Sequence, residues 1–257
     1  MRIIRYKQKG LDVQWGWFDG DNIGALSAPP FDPFRRADAN IPIKNIELFA
    51  PVMPGKIIAV GRNYVEHAKE HQVEIPDTPL LFLKPSTSVI GPGQVIILPP
   101  QSDLVEFEAE LAVVMGRAGR WIDITQVDAY ILGYCIANDV TARDLQNVDK
   151  QWTRAKGFDT FCPLGPWIET DLDPSDVLIT CRVNEEIRQM SSTREMVFNI
   201  PQLIVYISSI MTLNPGDVIL TGTPAGVGRI DPDDKIQISI EGIGVLENLV
   251  KNDRRKV

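Results

Sequence analysis

From Pro54 onward the chain consists largely of short apolar segments, each ended by Gly, Pro, Asp or Asn. The strongest are KIIAVG, PLLFLK, QVIILP, ELAVVMG, YILGYCIA, VLITCRV, DVILTG and KIQISI. Apolar runs of this length that stop at turn-forming residues are typical of β-strands. They do not alternate regularly with helical patterns, which disfavours a doubly wound parallel sheet. We therefore predict an α+β fold that is rich in strands.

Helical spacing is convincing in only a few places. From Ile200 to Met211, Pro201 suits the first turn and one apolar face follows the helical period. That face consists of Leu203, Ile204, Ile207 and Ile210. A second, short helix is predicted from Tyr64 to Gln72.

The N-terminal segment has a different pattern. The short predicted strands RIIRYK, DVQWGWFD and NIGALSA precede the proline-rich stretch APPFDPFRRADANIP. We predict a small, lid-like N-terminal β domain at residues 1–53 and a main domain at residues 54–257.

The charge and the cysteines limit the expected partners and location. The 257-residue chain has a net charge of −8 and a pI near 4.9, whereas binding nucleic acid needs clustered Lys and Arg. The start, MRIIRYKQKG, lacks the apolar core of a signal peptide, and no apolar run is long enough to span a bilayer. Cys135, Cys162 and Cys181 have no CxxC spacing and are predicted to be reduced core thiols. We expect a cytoplasmic protein with no nucleic-acid or membrane partner.

Carboxylates are concentrated in one predicted strand, Val105 to Met115. A period of two puts Glu106, Glu108 and Glu110 on one face, and the strand then becomes apolar on both faces. The glutamates are therefore predicted to lie at the mouth of a core, where like charges repel unless a cation lies between them. Asp139 ends another apolar strand and offers a further carboxylate.

Hard oxygen ligands favour Mg²⁺, Mn²⁺ or Ca²⁺ over zinc. The alternative is that the three glutamates line a solvated edge and that Asp139 caps a helix. Spacing alone leaves both interpretations open.

Four cations follow predicted strand ends or turns: Arg62, Lys84, Arg143 and Lys156. Single surface cations are common, but the stem of Lys84 leaves the apolar segment LFL. Beside a divalent metal, such groups are suited to binding an anionic substrate and stabilising an enolate.

The glycine-rich segment from Thr221 to Gly228 follows the predicted strand DVIL. It lacks the Gly-Lys-Ser/Thr ending of a phosphate-binding loop, so a nucleotide site is disfavoured. The segment is either a plain turn or a turn whose backbone N–H groups bind a carboxylate.

Both histidines lie in the segment EHAKEH. His67 and Glu70 are three residues apart on the predicted helix, so a carboxylate can orient an imidazole that takes a proton from water. The spacing of His67 and His71 also satisfies the HxxEH pattern of a zinc protease class, although this helix is short for such a site. A third interpretation is that both histidines lie on a polar surface helix.

Six motifs occur together in one order: GRNYVEHAKEH, LFLKPSTSVIGPG, VEFEAELAVVMGR, GYCIANDVTARDLQ, WTRAKGFDTFCPLGPW and LTGTPAGVG. In wording and order they resemble the fumarylacetoacetate hydrolase family. The similarity extends over roughly residues 54 to 250. Six linked motifs are far more specific than any one of them.

The resemblance implies a mixed β-sheet roll, preceded here by the small N-terminal domain, and a homodimer. It implies a Mg²⁺ ion held by Glu108, Glu110 and Asp139, with Glu106 outside the ligand set. His67 and Glu70 match the family's catalytic dyad on a mobile lid.

The resemblance also implies roles for several of the remaining polar side chains. Lys156 matches a lysine that contacts metal-bound substrate or water. Arg143, Gln146 and Thr223 match positions expected to line the substrate carboxylate. Arg62 and Lys84 are predicted as further substrate contacts from their places at a turn and a strand end. No role is implied for His71.

The sequence departs from relatives of this kind at Asn184-Glu185, where they typically have Asn-Gly. A type I′ turn needs a positive φ at both central residues, so Glu185 predicts a different hairpin there.

The expected activity is metal-dependent hydrolysis of a C–C bond in a 2,4-dioxo acid, giving pyruvate and a carboxylic acid. Close alternatives are oxaloacetate decarboxylation and isomerisation or decarboxylation of a 2-hydroxyhepta-2,4-diene-1,7-dioate type of substrate. A zinc protease and a non-catalytic metal-binding module are the alternatives from other classes.

Overall fold

The N-terminal strands extend the sheet of the main domain. In the computed structural model, which describes residues 1–70, 72 and 74–254, these strands are β1 (Arg2–Gln8), β2 (Gln14–Phe18), β3 (Asn22–Ala25), β4 (Ile41–Pro42) and β5 (Ile46–Phe49). β1 pairs antiparallel with a strand of the main domain, with Ile3 opposite Ile168. The N-terminal amine and Arg2 also form ion pairs with Glu169, at 3.1 and 3.3 Å.

The main domain contributes the remaining strands. They are β6 (Ile57–Gly61), β7 (Leu80–Lys84), β8 (Val89–Ile90), β9 (Val95–Leu98), β10 (Val105–Phe107), β11 (Ala109–Met115), β12 (Ile131–Asn138), β13 (Thr141–Ala142), β14 (Cys162–Glu169), β15 (Leu178–Val183), β16 (Glu186–Ser192), β17 (Val218–Leu220), β18 (Gly228–Arg229), β19 (Lys235–Ile240) and β20 (Gly244–Asn252).

Within the described residues these strands form three sheets. The largest has twelve strands, in the order β4-β3-β2-β1-β14-β12-β11-β17-β6-β7, with β5 added at β1 and β8 added at β14. A five-stranded sheet has the order β16-β15-β19-β20-β9, and a three-stranded sheet has the order β13-β10-β18. Parallel and antiparallel pairs are mixed, since β17 runs parallel to β6 while β11 runs antiparallel to β12. The predicted α+β class with mixed sheets is confirmed.

β11 lies at the centre of this architecture, and all seven of its residues are buried. Leu111 and Val113 pack into a core shared with the five-stranded sheet. Ala112 and Val114 pack on the opposite face, in a core with Cys135 of β12. A strand buried on both faces is apolar at successive positions, which agrees with the sequence of this segment.

The helices are few and short, as expected. In the described residues they are α1 (Val65–Glu70), α2 (Arg143–Asp149), α3 (Thr153–Lys156) and α4 (Ile200–Ile210), with 3₁₀ turns at Ile43–Asn45, Ser86–Ser88, Ile124–Tyr130, Pro174–Asp176 and Thr193–Glu195. None of the helices in this part of the chain is long and apolar enough to cross a bilayer.

α4 begins with a reciprocal cap. Gln202 N donates to Asn199 Oδ1 at 3.0 Å, and Asn199 N donates to Gln202 Oε1 at 2.9 Å. Three residues of the predicted apolar face, Leu203, Ile204 and Ile207, are buried in the core. The fourth, Ile210, is 48% exposed, because it lies in the last turn where the helix leaves the core.

The hairpin between β15 and β16 differs from its prediction. Asn184 and Glu185 have φ values of 50° and 73°, the positive pair that a type I′ turn requires. Pairing of Val183 with Glu186 leaves only these two residues for the loop. The Asn184 side chain is held by Asp234 and Lys235, at 2.7 and 3.0 Å. Tertiary contacts therefore impose a backbone conformation that glutamate disfavours.

Glu185→Gly is expected to stabilise the protein by about 0.5 to 1 kcal/mol, because glycine adopts a positive φ without the steric penalty of a Cβ atom. Urea denaturation measures the change. Glu186→Gly, one residue further and inside β16, is the control and should destabilise. Destabilisation by Glu185→Gly would contradict the argument.

Candidate active site

The chain changes sheets at Glu108. β10 belongs to the three-stranded sheet and β11 to the twelve-stranded sheet, so Glu108 lies in the break between them. Its backbone N–H donates to Asn138 Oδ1 at 2.9 Å, and its carbonyl accepts from the Asp139 N–H at 2.9 Å. Val105, Phe107, Ala109, Leu111 and Val113 all pack in one core, as the predicted period of two requires, and Arg143 contacts both Glu106 and Glu108. The predicted period therefore persists through the break, which brings Glu108 to the end of β12.

Three carboxylates converge at this corner. Glu108, Glu110 and Asp139 are each at most 4% exposed, and one oxygen of each lies within 4.8 Å of the others. Glu106 is separated from this group, because Arg143 Nε binds its carboxylate at 2.6 Å. The structure thus brings together the three carboxylates that the family motifs indicated as ligands and leaves out Glu106.

The three carboxylates have different electrostatic surroundings. Burial by itself would raise the pKa of the Glu108 carboxyl, but the charges of Lys156 and Arg143 outweigh it and hold that pKa well below its usual range. Burial, together with repulsion from Asp139 and Glu108, raises the pKa of Glu110 well above its usual range. Glu110 is therefore the member of the cluster that most lacks positive charge.

Two lysines are buried against the cluster. Lys156 Nζ lies 2.7 Å from Glu108 Oε2 and 2.6 Å from Asp139 Oδ2. Burial would lower the pKa of Lys156, but Asp139 and Glu108 outweigh that effect and raise it, so the ammonium group stays charged. Lys84 Nζ lies 2.6 Å from Asp139 Oδ1 and donates to the Lys156 carbonyl at 2.6 Å.

We expected Lys84 to contact the substrate. In the structure its ammonium group contacts Asp139, and Lys84 is not among the residues that line the pocket. Its side chain is fully buried, and it supports the cluster from the core side. The apolar segment before Lys84 predicted a buried stem, but the direction of that stem depends on the pairing of β7 with β6.

The residues of the cluster fit a divalent cation. All three ligands offer carboxylate oxygen, the donor that Mg²⁺, Mn²⁺ and Ca²⁺ prefer. Within the described residues Glu110 forms no ion pair, and its Oε2 atom accepts only the Gly222 N–H, at 2.6 Å. Asp139 Oδ1 is buried and makes no hydrogen bond there, although Lys84 Nζ lies 2.6 Å from it as an ion-pair partner. Oxygen atoms with unused lone pairs and a cluster of like charges are what a bound cation would satisfy.

A pocket of about 360 Å³ opens above the cluster. Nine of the predicted site residues line it: Arg62, His67, Glu108, Glu110, Asp139, Arg143, Gln146, Lys156 and Thr223. Phe82, Asn147, Lys150 and Trp152, which were not predicted, also line it. Segments distant in sequence therefore meet around one cavity.

Much of the hydrogen-bonding capacity of Arg143 is used within the protein. Besides Glu106, its guanidinium donates to Glu108 Oε1 at 2.5 Å and to Gln146 Oε1 at 2.6 Å. The pKa of Arg143 is raised because its burial is outweighed by these carboxylates. Arg143 thus fixes Glu108 and Gln146 on the pocket wall.

The predicted dyad is formed on α1. His67 is buried to 8% exposure, and its Nδ1 atom lies 3.3 Å from Glu70 Oε2. Both Glu70 carboxylate oxygens accept the Gly226 N–H, at 3.1 and 3.2 Å. His67 therefore faces the pocket while Glu70 connects α1 to the glycine-rich segment. His71, on which the zinc-protease alternative depended, lies outside the described residues.

The segment Thr221 to Val227 binds carboxylates of the protein itself. Gly222 N–H donates to Glu110 and Gly226 N–H donates to Glu70. Gly222 has a φ of 98°, and a Cβ atom there would lie 2.8 Å from the Cβ atom of Asn63. One short loop thus holds both a cluster carboxylate and the partner of the histidine.

The sequence interpretation missed Gln189, which anchors this loop. Gln189 is 1% exposed, and its side chain bonds Ala109 N at 3.0 Å, Thr223 Oγ1 at 2.7 Å and the Pro224 carbonyl at 2.7 Å. Its strand, β16, is otherwise largely exposed. Nothing in the pattern EIRQMSS distinguishes this glutamine from a solvated one.

Comparison with known proteins identifies the family. The fumarylacetoacetate (FAA) hydrolase C-terminal family matches residues 56–251, and a family described as Rv2993c-like, N-terminal, matches residues 1–51. An uncharacterized protein of Methanocaldococcus jannaschii is 52% identical over 202 residues, covering 79% of this chain and 85% of that protein. A mitochondrial oxaloacetate tautomerase of Rattus norvegicus is 46% identical over 222 residues, covering 82% of this chain and 71% of that protein.

The fold is also shared with solved structures. The structure of 5-carboxymethyl-2-hydroxymuconate delta-isomerase from Mycobacterium smegmatis superposes with a TM-score of 0.91 at 44% identity, covering 98% of this chain and 100% of that one. The mixed sheets and the acidic pocket define an α+β enzyme with a site that can hold a divalent cation. The chain belongs to the fumarylacetoacetate hydrolase family, which confirms the assignment that the linked motifs suggested.

Mg²⁺ at about 100 times its Kd is expected to stabilise the protein by about 2 to 3 kcal/mol, because it binds the folded cluster and not the unfolded chain. Glu110→Gln should abolish this effect by removing an anionic ligand. Thermal denaturation with Mg²⁺ and with chelator measures it. Glu106→Gln is the control and should still be stabilised by Mg²⁺. Loss of Mg²⁺-dependent stabilisation in Glu106→Gln would contradict the three-carboxylate site.

Proposed function

We propose that the protein catalyses keto–enol tautomerisation of an oxaloacetate-type 2-oxo acid, that is, proton transfer at the carbon next to the oxo group. The observation that carries this proposal is that His67, oriented by Glu70, lines the same pocket as the acidic cluster and Lys156. A base and a site for stabilising negative charge are the two requirements for forming an enolate.

Glu108, Glu110 and Asp139 would hold the divalent cation, which we expect to be Mg²⁺, with Mn²⁺ or Ca²⁺ as alternatives. When bound, such a cation supplies Lewis-acid polarisation of the oxo group and thereby acidifies the neighbouring C–H bond.

Lys156 has a defined role in this reaction. An ammonium group has three N–H donors, and Glu108 and Asp139 accept two of them. The third can donate to a substrate oxygen as negative charge develops there. Because the same carboxylates raise the pKa of Lys156, the ammonium group acts as a fixed positive charge rather than as a proton donor.

His67 is the group that moves the proton. Since its Nδ1 atom contacts Glu70, Nε2 is the nitrogen that exchanges a proton with the substrate carbon. Glu70 stabilises the imidazolium form. The Gly226 N–H donates to the Glu70 carboxylate and so holds the His67–Glu70 pair in its orientation. The proton taken from carbon returns to oxygen, so the reaction consumes no water.

The names of similar proteins support this class of reaction. The rat relative is called an oxaloacetate tautomerase and the M. smegmatis structure a delta-isomerase, and both names denote movement of a proton and a double bond without cleavage of the carbon chain.

His67→Ala is expected to lower kcat for oxaloacetate tautomerisation by about 10²- to 10⁴-fold, because general acid–base catalysis by a positioned side chain contributes that much. The decay of the enol absorbance measures the rate, and Mg²⁺-dependent stabilisation should persist. Glu66→Gln, an exposed change on the same helix, is the control. Full activity of His67→Ala would contradict the proposal, and so would release of pyruvate as the main product, which indicates decarboxylation.

Hydrolysis of a 2,4-dioxo acid is the second candidate. The His67–Glu70 pair favours it, because the same base could activate a water that attacks the distal carbonyl. Addition of water then breaks the C–C bond and yields pyruvate and a carboxylic acid.

Acetylpyruvate distinguishes the second candidate from the first. Hydrolysis predicts metal-dependent release of pyruvate that chelator stops and His67→Ala reduces by about 10²-fold or more. A coupled pyruvate assay measures it. Absence of pyruvate while oxaloacetate is tautomerised would exclude hydrolysis and leave tautomerisation.

A further inference from the structure

One face of α2 forms a wall of the pocket. Arg143, Gln146 and Asn147 of α2 share one side of the helix by their spacing, and they line the pocket together with Lys150, the residue that follows the helix. At 1.5 Å per residue, Lys150 lies about 10 Å along the helix from Arg143. Arg143 contacts the acidic cluster, so Lys150 marks the outer end of the pocket.

Arg62 lines the same pocket as Lys150 and comes from a different segment of the chain. Arg62 follows Gly61, and a Cβ atom at Gly61 would be 2.7 Å from the ring of Trp152, two residues after Lys150. The end of β6 and the end of α2 are therefore packed together through this glycine and tryptophan. Two cations flank the contact.

The backbone at both cations has an unusual conformation. Arg62 and Lys150 have φ values of 60° and 59°, in the left-handed region that residues other than glycine rarely adopt. Such conformations cost free energy and cluster at functional sites. Here the two residues with this conformation, Arg62 and Lys150, both line the same pocket.

Arg62 and Lys150 also differ from the cations next to the acidic cluster in whether they form ion pairs. Arg143, Lys84 and Lys156 all form ion pairs with buried carboxylates. In the described residues, neither Arg62 nor Lys150 has an acidic partner, although the chain carries a net charge of −8. Their charge is available to a ligand.

We propose that Arg62 and Lys150, with the Asn147 amide, form a second anion subsite that binds the distal carboxylate of a 2-oxo dicarboxylic acid. This inference rests on the proposed function, in which the first carboxylate and the oxo group occupy the inner site. The subsite selects diacids over 2-oxo acids that end in a neutral group.

The test compares oxaloacetate with its 4-ethyl ester, which lacks the distal charge. Lys150→Met and Arg62→Met are each expected to raise KM for oxaloacetate about tenfold with kcat little changed, because they remove binding common to ground and transition states. KM for the ester should not change in either variant. Lys150→Arg should restore most of the affinity for the diacid.

Lys44→Met is the matched control, since Lys44 is an exposed lysine of the N-terminal region. It removes one positive charge and should leave both KM values unchanged. Calorimetric titration with malate and lactate, which differ in the second carboxylate, repeats the comparison without turnover. Lys150→Met should weaken malate binding about tenfold and leave lactate binding unchanged.

The outcomes separate this inference from the proposed function. If wild-type protein converts oxaloacetate and its ester with equal kcat/KM, or if both variants lose activity on both substrates equally, the subsite is wrong and the tautomerase proposal stands. If wild-type protein converts neither compound and binds malate no better than lactate, both proposals fail.

Discussion

The ion pairs of Lys156 with Glu108 and Asp139 are the interaction on which the site depends. They join the residue before β11 to the residue after β12, and the three side chains are almost fully buried where they line the pocket. Removing Lys156 would leave Lys84 and Arg143 as the remaining buried cations beside three carboxylates, and such an imbalance of buried charge destabilises the folded protein. The same ion pairs hold the carboxylate oxygen atoms of Glu108 and Asp139 in place beside the pocket.

Two further cations contact the carboxylates of this cluster from different sides. Lys84 compensates Asp139 from the core side, and Arg143 compensates Glu108 from the pocket wall. Among the described residues Glu110 has only a backbone donor, and this asymmetry is visible in the opposite pKa directions of Glu108 and Glu110. A divalent cation would meet the cluster at its least compensated member, next to the cavity in which the substrate would lie.

The loop from Thr221 to Val227 connects this charge cluster to the proton-transferring group. Its N–H groups hold Glu110 at one end and Glu70 at the other, and Gln189 fastens it to β16. A displacement of the loop would therefore change the geometry of the metal site and of the dyad together. These hydrogen bonds are a structural reason for the two groups to keep a constant separation.

The sequence by itself determined the class of fold, the family and the identity of the candidate ligands, because local apolar patterns, turn residues and linked motifs are all read along the chain. The period of two by itself treats Glu106 and Glu108 alike, and it was the linked motifs that left Glu106 out of the ligand set. The sequence did not give the direction of Lys84 or the importance of Gln189. Those features depend on contacts between residues far apart in sequence: the break at Glu108 exists because its backbone bonds with Asn138 and Asp139. Only the tertiary structure decides such positions, because the free energy of a buried charge or amide depends on its partners in space and not on its neighbours in the chain.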